Sequence, residues 1–329
     1  YSLRGCRKRD YPPAFSYNTC WWKYNHVAED YFARMGLMLS EGRAVRDLLV
    51  LHPTTSAWAL MGGENASKIR ALSQEFNRLA KTVSGIHYDY DFGDEMLMSK
   101  WVKSEGGVLA VNLAKYKVVL IPPMMSMLNS TLKLLSDFID GGGKILSLSP
   151  LPYLIEGENN EEISDKLTKF FSHSNLIALE DVSKLCVTLE RILPREVSVI
   201  DESGTQAQSI LYIQRDAKER QIYGFVNNDL NGVHNTEIRL NCTGDVEEWD
   251  LLTGRIKAVD SYLLEGKTAF KTRFEPVDSK IYVVSQRQIS DIRNVIEVKK
   301  PMKNLKRSAS YIGPECKFLR TWPNALTLD

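Results

Sequence analysis

Between Val45 and about Leu193 the apolar period of the chain switches back and forth between that of a strand and that of a helix. Short apolar or alternating runs at 48–51, 86–90, 118–121 and 145–148, with a weaker one at 176–179, predict strands. The stretches 66–81, 95–101, 130–139, 161–171 and 182–192 carry helical spacing. Strand followed by helix at these intervals builds a parallel sheet covered on both faces, so this region is expected to be a doubly wound, flavodoxin-like α/β domain.

After Glu196 the pattern becomes all-β. Strands are expected near 210–214, 221–226, 236–240, 246–250, 270–274 and 280–284. They are separated by turn chemistry at 227–232, 243–245, Thr253-Gly254, Glu265-Gly266 and 276–279. Short strands at such spacing suggest a β-sandwich. Ahead of both regions, a basic, proline-containing, aromatic loop leads into a helix at about 25–40. There Val27, Tyr31, Arg34, Met35 and Met38 recur at three-and-four spacing, and Gly42 acts as a stop. The division expected is therefore 1–44, 45–194, 195–286 and a linker with the start of a further β domain over 287–329. A chain opening on Tyr1 and closing on an alternating run reads as a segment of a larger protein.

Composition excludes several classes. Lys plus Arg number 42 against 41 Asp plus Glu, without a long block of one sign, which argues against nucleic acid or a membrane surface as partner. No apolar run approaches the roughly 20 residues that span a bilayer, so the chain is expected to be soluble. Five scattered cysteines without CxxC spacing read as ordinary thiols rather than zinc ligands or a redox pair, and they favour a reducing, cytoplasmic compartment.

Cofactor and metal signals are weak. The first strand is followed by His52-Pro-Thr-Thr-Ser56, which lacks GxGxxG and any P-loop, so no cofactor is expected. Asp89, Asp91, Asp94 and Glu95 cluster after the second strand, but Asp94 is placed to cap the helix beginning near Glu95, and no metal is assigned to the group. Gly141-Gly-Gly143 reads as a helix-ending turn. The expected strand ends carry no cysteine nucleophile, Cys186 falls inside an expected helix, and neither His52 nor His87 has a nucleophile beside it in sequence.

Taken in order, Tyr1-Ser-Leu-Arg-Gly-x-Arg-Lys-Arg-Asp-x-Pro-Pro13, Trp21-Trp22-Lys23-Tyr24 and Glu29-Asp-Tyr-x-Ala-Arg34 resemble the eighth-strand exit and last helix of a TIM-barrel glycoside hydrolase. The resemblance is to large bacterial enzymes of the α-L-rhamnosidase and β-galactosidase-trimerisation type. Arg46-Asp-Leu-Leu-Val-Leu-His-Pro53, Ser56-Ala-Trp58, Asp91-Phe-Gly-Asp94 and Pro122-Pro123 resemble the amidotransferase-like domain that follows the barrel in those proteins. Trp249-Asp-Leu-x-Thr-Gly254 is similar to their next β domain, and Trp322-x-Asn-Ala-Leu-Thr-Leu-Asp329 to the opening of a galactose-binding-like jelly roll.

That resemblance implies a parent that hydrolyses glycosidic bonds of plant or microbial carbohydrate with a pair of carboxylates on earlier barrel strands, so no catalytic residue is expected in this chain. It also implies that Arg4, Lys8, Arg9, Trp21 and Trp22 sit at the barrel rim, where aromatic faces and cations contact sugar. The reading expected is a non-catalytic middle segment of a multidomain glycoside hydrolase, bracing the barrel and contributing homo-oligomer contacts, with carbohydrate as partner through the parent. The alternative is a carbohydrate- or nucleotide-binding module without catalysis.

Overall fold

The computed structural model describes Tyr17 and residues 19–285. Arg4, Lys8, Arg9 and the motif beginning at Trp322 lie outside them. The first long element is α1 (Asn25–Ser40), as the spacing predicts.

Five strands, β1 (Leu48–Leu51), β2 (Tyr90–Gly93), β3 (Val118–Ile121), β4 (Lys144–Leu148) and β5 (Leu176–Leu179), form one sheet in the order β2-β1-β3-β4-β5. Every pairing in it is parallel. All residues of β1 and β3 are buried, which explains why they read as continuous apolar runs rather than as alternation. Helices cover both faces. Leu79 and Val83 of α2 (Ala66–Gly85) and Leu185 and Leu189 of α6 (Leu185–Ile192) pack against one face with Val50, Leu120 and Leu146. The other face takes Met98 of α3 (Glu95–Trp101), Leu135 and Phe138 of α4 (Asn129–Asp140), and Leu167 and Phe170 of α5 (Glu161–Phe171). A small antiparallel sheet not anticipated from sequence, Lys103–Glu105, Val108–Val111 and Ala114–Tyr116, fills the connection between α3 and β3.

The strand expected at 86–90 differs: β2 begins only at Tyr90. Ile86 and His87 close α2 instead, with His87 in the left-handed region at φ 60° and the Tyr88 amide donating to Val83 O at 3.2 Å. The apolar alternation there reflects burial of Ile86 and Tyr88 against neighbouring elements, not strand pairing.

The remaining strands are β6 (Val197–Asp201), β7 (Ile210–Asp216), β8 (Arg220–Asn227), β9 (His234–Leu240), β10 (Asp245–Trp249), β11 (Ile256–Val259), β12 (Ser261–Leu264), β13 (Lys267–Phe274) and β14 (Ser279–Ser285). Of these, β6, β11 and β12 were not legible as strands. They build two antiparallel sheets. One has the order Arg43–Ala44, β7, β8, β14, β10, β11, and the other the order β6-β9-β13-β12. Val199, Ile238 and Phe270 of the four-stranded sheet share one core with Tyr223, Phe225 and Tyr282 of the six-stranded sheet.

The other face of the six-stranded sheet is covered by α1. Met38, Met35, Tyr31 and Leu39 pack there on Ile222, Trp249, Ile281 and Val283. Arg215 then caps the end of the helix, donating to Glu41 O at 2.9 Å and Gly42 O at 2.8 Å, and Arg220 pairs with the Glu41 carboxylate at 2.6 Å. α1 thus packs on the β unit and not on the parallel sheet.

Candidate functional site

In open parallel sheets, ligands gather at the carboxyl ends of the strands, near the place where the strand order reverses. Here that place lies between β1 and β3. Much of it is occupied by the chain's own polar groups. Thr54 to Ala59 form a short helix, and the Ser56 hydroxyl accepts from the amides of Met125 and Ser126, each at 2.9 Å. The Thr55 hydroxyl sits between the Glu95 carboxylate and Ser126 O, and the second Glu95 oxygen accepts from Leu128 N at 2.7 Å. Thr55, Ser56, Glu95 and Ser126 are all buried. The hydroxyls of Thr55 and Ser56 are therefore engaged in fixing the loop after β3.

The acidic group splits in the same way. Asp94 caps α3, accepting from Leu97 N at 2.9 Å. Asp89 and Asp91 both pair with Arg46, at 2.8 and 3.1 Å, and Tyr116 donates to Asp91 at 2.9 Å. Burial raises the Asp89 carboxyl above its ordinary range despite the Arg46 charge. The four carboxylates do not converge on a common point, and no group of three or more His, Cys, Asp or Glu able to hold a metal ion occurs among the described residues.

His52 and His87 each hydrogen-bond to a neighbouring group. His52 Nδ1 lies 2.7 Å from Thr54 Oγ1, beside the rings of Phe76 and Phe92. His87 is fully buried, with Nδ1 2.6 Å from Gln206 Oε1 and Nε2 2.9 Å from Ile210 O, and burial pushes its pKa down to about 4. Sequence reasoning missed a third grouping: Ser209, His234 and Asp229. His234 Nε2 is 3.2 Å from Ser209 Oγ and 3.1 Å from Asp229 Oδ2, so both contacts use one ring nitrogen and no proton relay runs from serine to aspartate. Asp229 is held below the usual carboxylate range by amides of Asn231 and Gly232, which marks it as the organiser of a loop.

What remains open at the strand ends is a cleft of about 310 Å³ between α2 and the segments that follow β3, β4 and β5. Leu79, Pro123, Leu148 and Val182 supply apolar walls, and Glu75, Arg78, Ser149, Glu180 and Asp181 the polar ones. Arg78 pairs with Glu75 at 2.6 Å. Asp181 accepts from Ser183 N at 2.8 Å, which lowers its pKa. The Glu180 carboxylate and Ser149 hydroxyl have no partner among the described residues. The arrangement can bind hydroxyl donors and acceptors; it holds no cysteine and no base-activated hydroxyl, so acyl transfer has no nucleophile here.

Of the rim residues, Trp21 and Trp22 fall in the turn that leads into α1, where Trp22 N donates to Thr19 O at 3.1 Å and Lys23 Nζ lies 4.8 Å from the Tyr24 ring centre. Trp21 is 39% exposed and Tyr24 is 60% exposed. The cleft and this turn are contributed by different units, the former by the parallel sheet and the latter by the helix on the six-stranded sheet.

Two solved glycoside hydrolases share this fold over part of their length. A rhamnosidase from Novosphingobium sp. PP1Y superposes with a TM-score of 0.63 at 18% identity, covering 83% of this chain and 26% of that one. A GH42 beta-galactosidase from G. stearothermophilus superposes at 0.52 and 11% identity, over 80% of this chain and 44% of its own. The profile of the alpha-L-rhamnosidase family matches residues 5–264, and the chain belongs to that family of glycoside hydrolases. A protein of Formosa agariphila with the provisional name beta-glucuronidase is 23% identical over 292 residues, 87% of this chain and 23% of that protein. The chain thus spans about a quarter of the length of the rhamnosidase and of the Formosa protein. Among the described residues no helix is long and apolar enough to cross a membrane.

Proposed function

We propose that this chain is a non-catalytic segment of a larger glycoside hydrolase acting on α-L-rhamnosidic bonds, and that it braces the catalytic portion through α1. The observation that carries the reading is that α1 is apolar on both sides. Tyr31, Met35 and Met38 face the six-stranded sheet, while Phe32 remains 65% exposed and Leu37 37% exposed, with Ala33 and Gly36 between them. An exposed apolar patch of this kind on a helix already packed on one side marks a surface that a further layer covers. In the proposed parent, the second layer is the barrel, of which α1 is the last helix. The exposed Trp21 and Tyr24 then lie at the barrel rim, within reach of carbohydrate.

The same reading divides the described residues into the end of the barrel up to residue 44, an amidotransferase-like, doubly wound unit at 45–194 and a β-sandwich from residue 195. Support comes from the β2-β1-β3-β4-β5 order and from the core shared by the two antiparallel sheets. The catalytic carboxylates are assigned to the remainder of the parent. In this chain Asp89, Asp91, Asp94 and Glu95 each serve a structural bond.

An assay of the purified chain on aryl α-L-rhamnosides tests the reading. The expected result is no turnover above buffer; turnover abolished by one local Asp or Glu substitution overturns it. The bracing role is tested by Phe32→Glu in this chain, which should weaken its binding to the separately produced remainder of the parent without altering its own fold. Unchanged association would remove α1 from the interface.

A further inference from the structure

We propose that the cleft at the carboxyl ends of β3, β4 and β5 is a binding site for a neutral pyranose. Its volume of about 310 Å³ stands at the lower end of the range of ligand pockets, enough for one or two sugar rings. Its lining divides as sugar recognition requires. The C–H face of a pyranose is apolar, and Leu79, Pro123 and Val182 offer matching walls. The hydroxyls need strong acceptors and a planar donor, which the Glu180 and Asp181 carboxylates of the segment after β5 and the Arg78 guanidinium of α2 supply.

Two further observations favour a ligand over a purely structural role. Glu180 makes no ion pair or hydrogen bond among the described residues, and neither does the Ser149 hydroxyl beside it. Both are exposed at the cleft and open to a ligand that displaces their water. By contrast, the neighbouring edge around Thr55, Ser56 and Glu95 is closed by internal bonds that satisfy its buried groups. The cleft is thus the part of the strand edge that the chain leaves unfilled.

Charge narrows the class. Three carboxylates, Glu75, Glu180 and Asp181, surround one guanidinium, so an anionic sugar meets net repulsion and a neutral one does not. The subsite accordingly selects a neutral deoxy- or hexopyranose against a uronate. The choice of L-rhamnose as probe rests on the family membership and not on the bracing role, so failure here leaves that role standing.

The experiment is a titration of the full 329-residue chain with L-rhamnose and, separately, D-glucuronate, followed by amide chemical shifts. The expected result is millimolar binding of L-rhamnose with shifts at Ser149, Glu180 and Val182, and no response to glucuronate. Glu180→Gln keeps the shape and should weaken binding about tenfold. Arg78→Met removes the donor and should do the same; an unchanged thermal midpoint in both variants shows that the fold is intact. No response to L-rhamnose, an equal response to glucuronate, or binding that both variants leave intact would each overturn the proposal.

Discussion

Arg34 of α1 donates from Nη1 to the carbonyl oxygens of Leu251 and Leu252, at 2.7 and 2.8 Å, and so joins two sequence motifs that lie 217 residues apart. The same side chain pairs with Asp30 at 3.6 Å and approaches Gly254 within 3.2 Å of its ideal Cβ position. Asp250 shapes the receiving turn, accepting from Thr253 N at 3.1 Å and from its hydroxyl at 2.7 Å. The guanidinium therefore clamps the helix onto a turn whose carbonyls already point outward.

Replacing Arg34 by Met keeps the hydrophobic stem and removes both charge-assisted bonds. The expected cost is about 2–4 kcal/mol, from two bonds of roughly 1.5 kcal/mol or more and the carbonyls left partly unsatisfied. Urea unfolding of the variant should show the midpoint lowered with little change in slope. A midpoint equal to that of the unmodified chain would show that the clamp carries no stability.

Gly42 sits at φ +61°, and a Cβ added there would stand 2.1 Å from Asp216 O and 2.8 Å from Ala217 Cα. Backbone atoms cannot yield as a side chain would, so Gly42→Ala must displace the segment Arg43–Ala44 from β7. A loss of about 2 kcal/mol or more is expected from the left-handed strain and the clash together, with faster amide exchange at Ala44 and Arg215 as the local signature.

His87 gives a pH dependence with a definite sign. Its folded pKa is pushed down to about 4 by burial, from an ordinary 6.5, with the nearby Arg195 charge adding to the effect. Between those values the unfolded chain binds the extra proton, so stability is complete above about pH 6.5 and declines as pH falls towards 4. The full shift corresponds to about 3 kcal/mol. Denaturant unfolding at pH 7.5 and 4.5 should show this decline, and His87→Gln should flatten it. A slope that persists in the variant would assign it to other groups.

Glu95 accepts from the Thr55 hydroxyl with one oxygen and from Leu128 N with the other, in a site with 1% exposure. Glu95→Gln presents an amide NH2 to one of these donors, and the expected loss is about 1–3 kcal/mol. Thermal unfolding measures it. The loop at 122–128, held by the same network, should become more susceptible to proteolysis.

The Glu265-Gly266 turn shows why much of the β unit was readable. Both residues adopt positive φ, 52° and 77°, which a two-residue hairpin between β12 and β13 demands. Yet β12 itself went unrecognised, because Ser261, Tyr262 and Leu263 are all exposed and show no buried alternation. The segment at 86–90 misled in the opposite sense: its apolar alternation comes from burial at the joint between units. The acidic cluster after β2 was resolved correctly at Asp94, since a cap is local. The pairing of Asp89 and Asp91 with Arg46, on the preceding strand's approach, was not foreseeable from spacing.

The sequence by itself determined the local elements and the family. Side-chain period, caps and turn residues act within a few positions, and the ordered motifs alone carry the likeness to α-L-rhamnosidases. Tertiary structure decided where α1 lies, which polar groups at the strand ends are satisfied internally and which part of that edge stays open. Each of these depends on groups brought together from distant positions, as Arg34 meets Leu251 and Arg46 meets Asp89, and no local pattern encodes such a meeting.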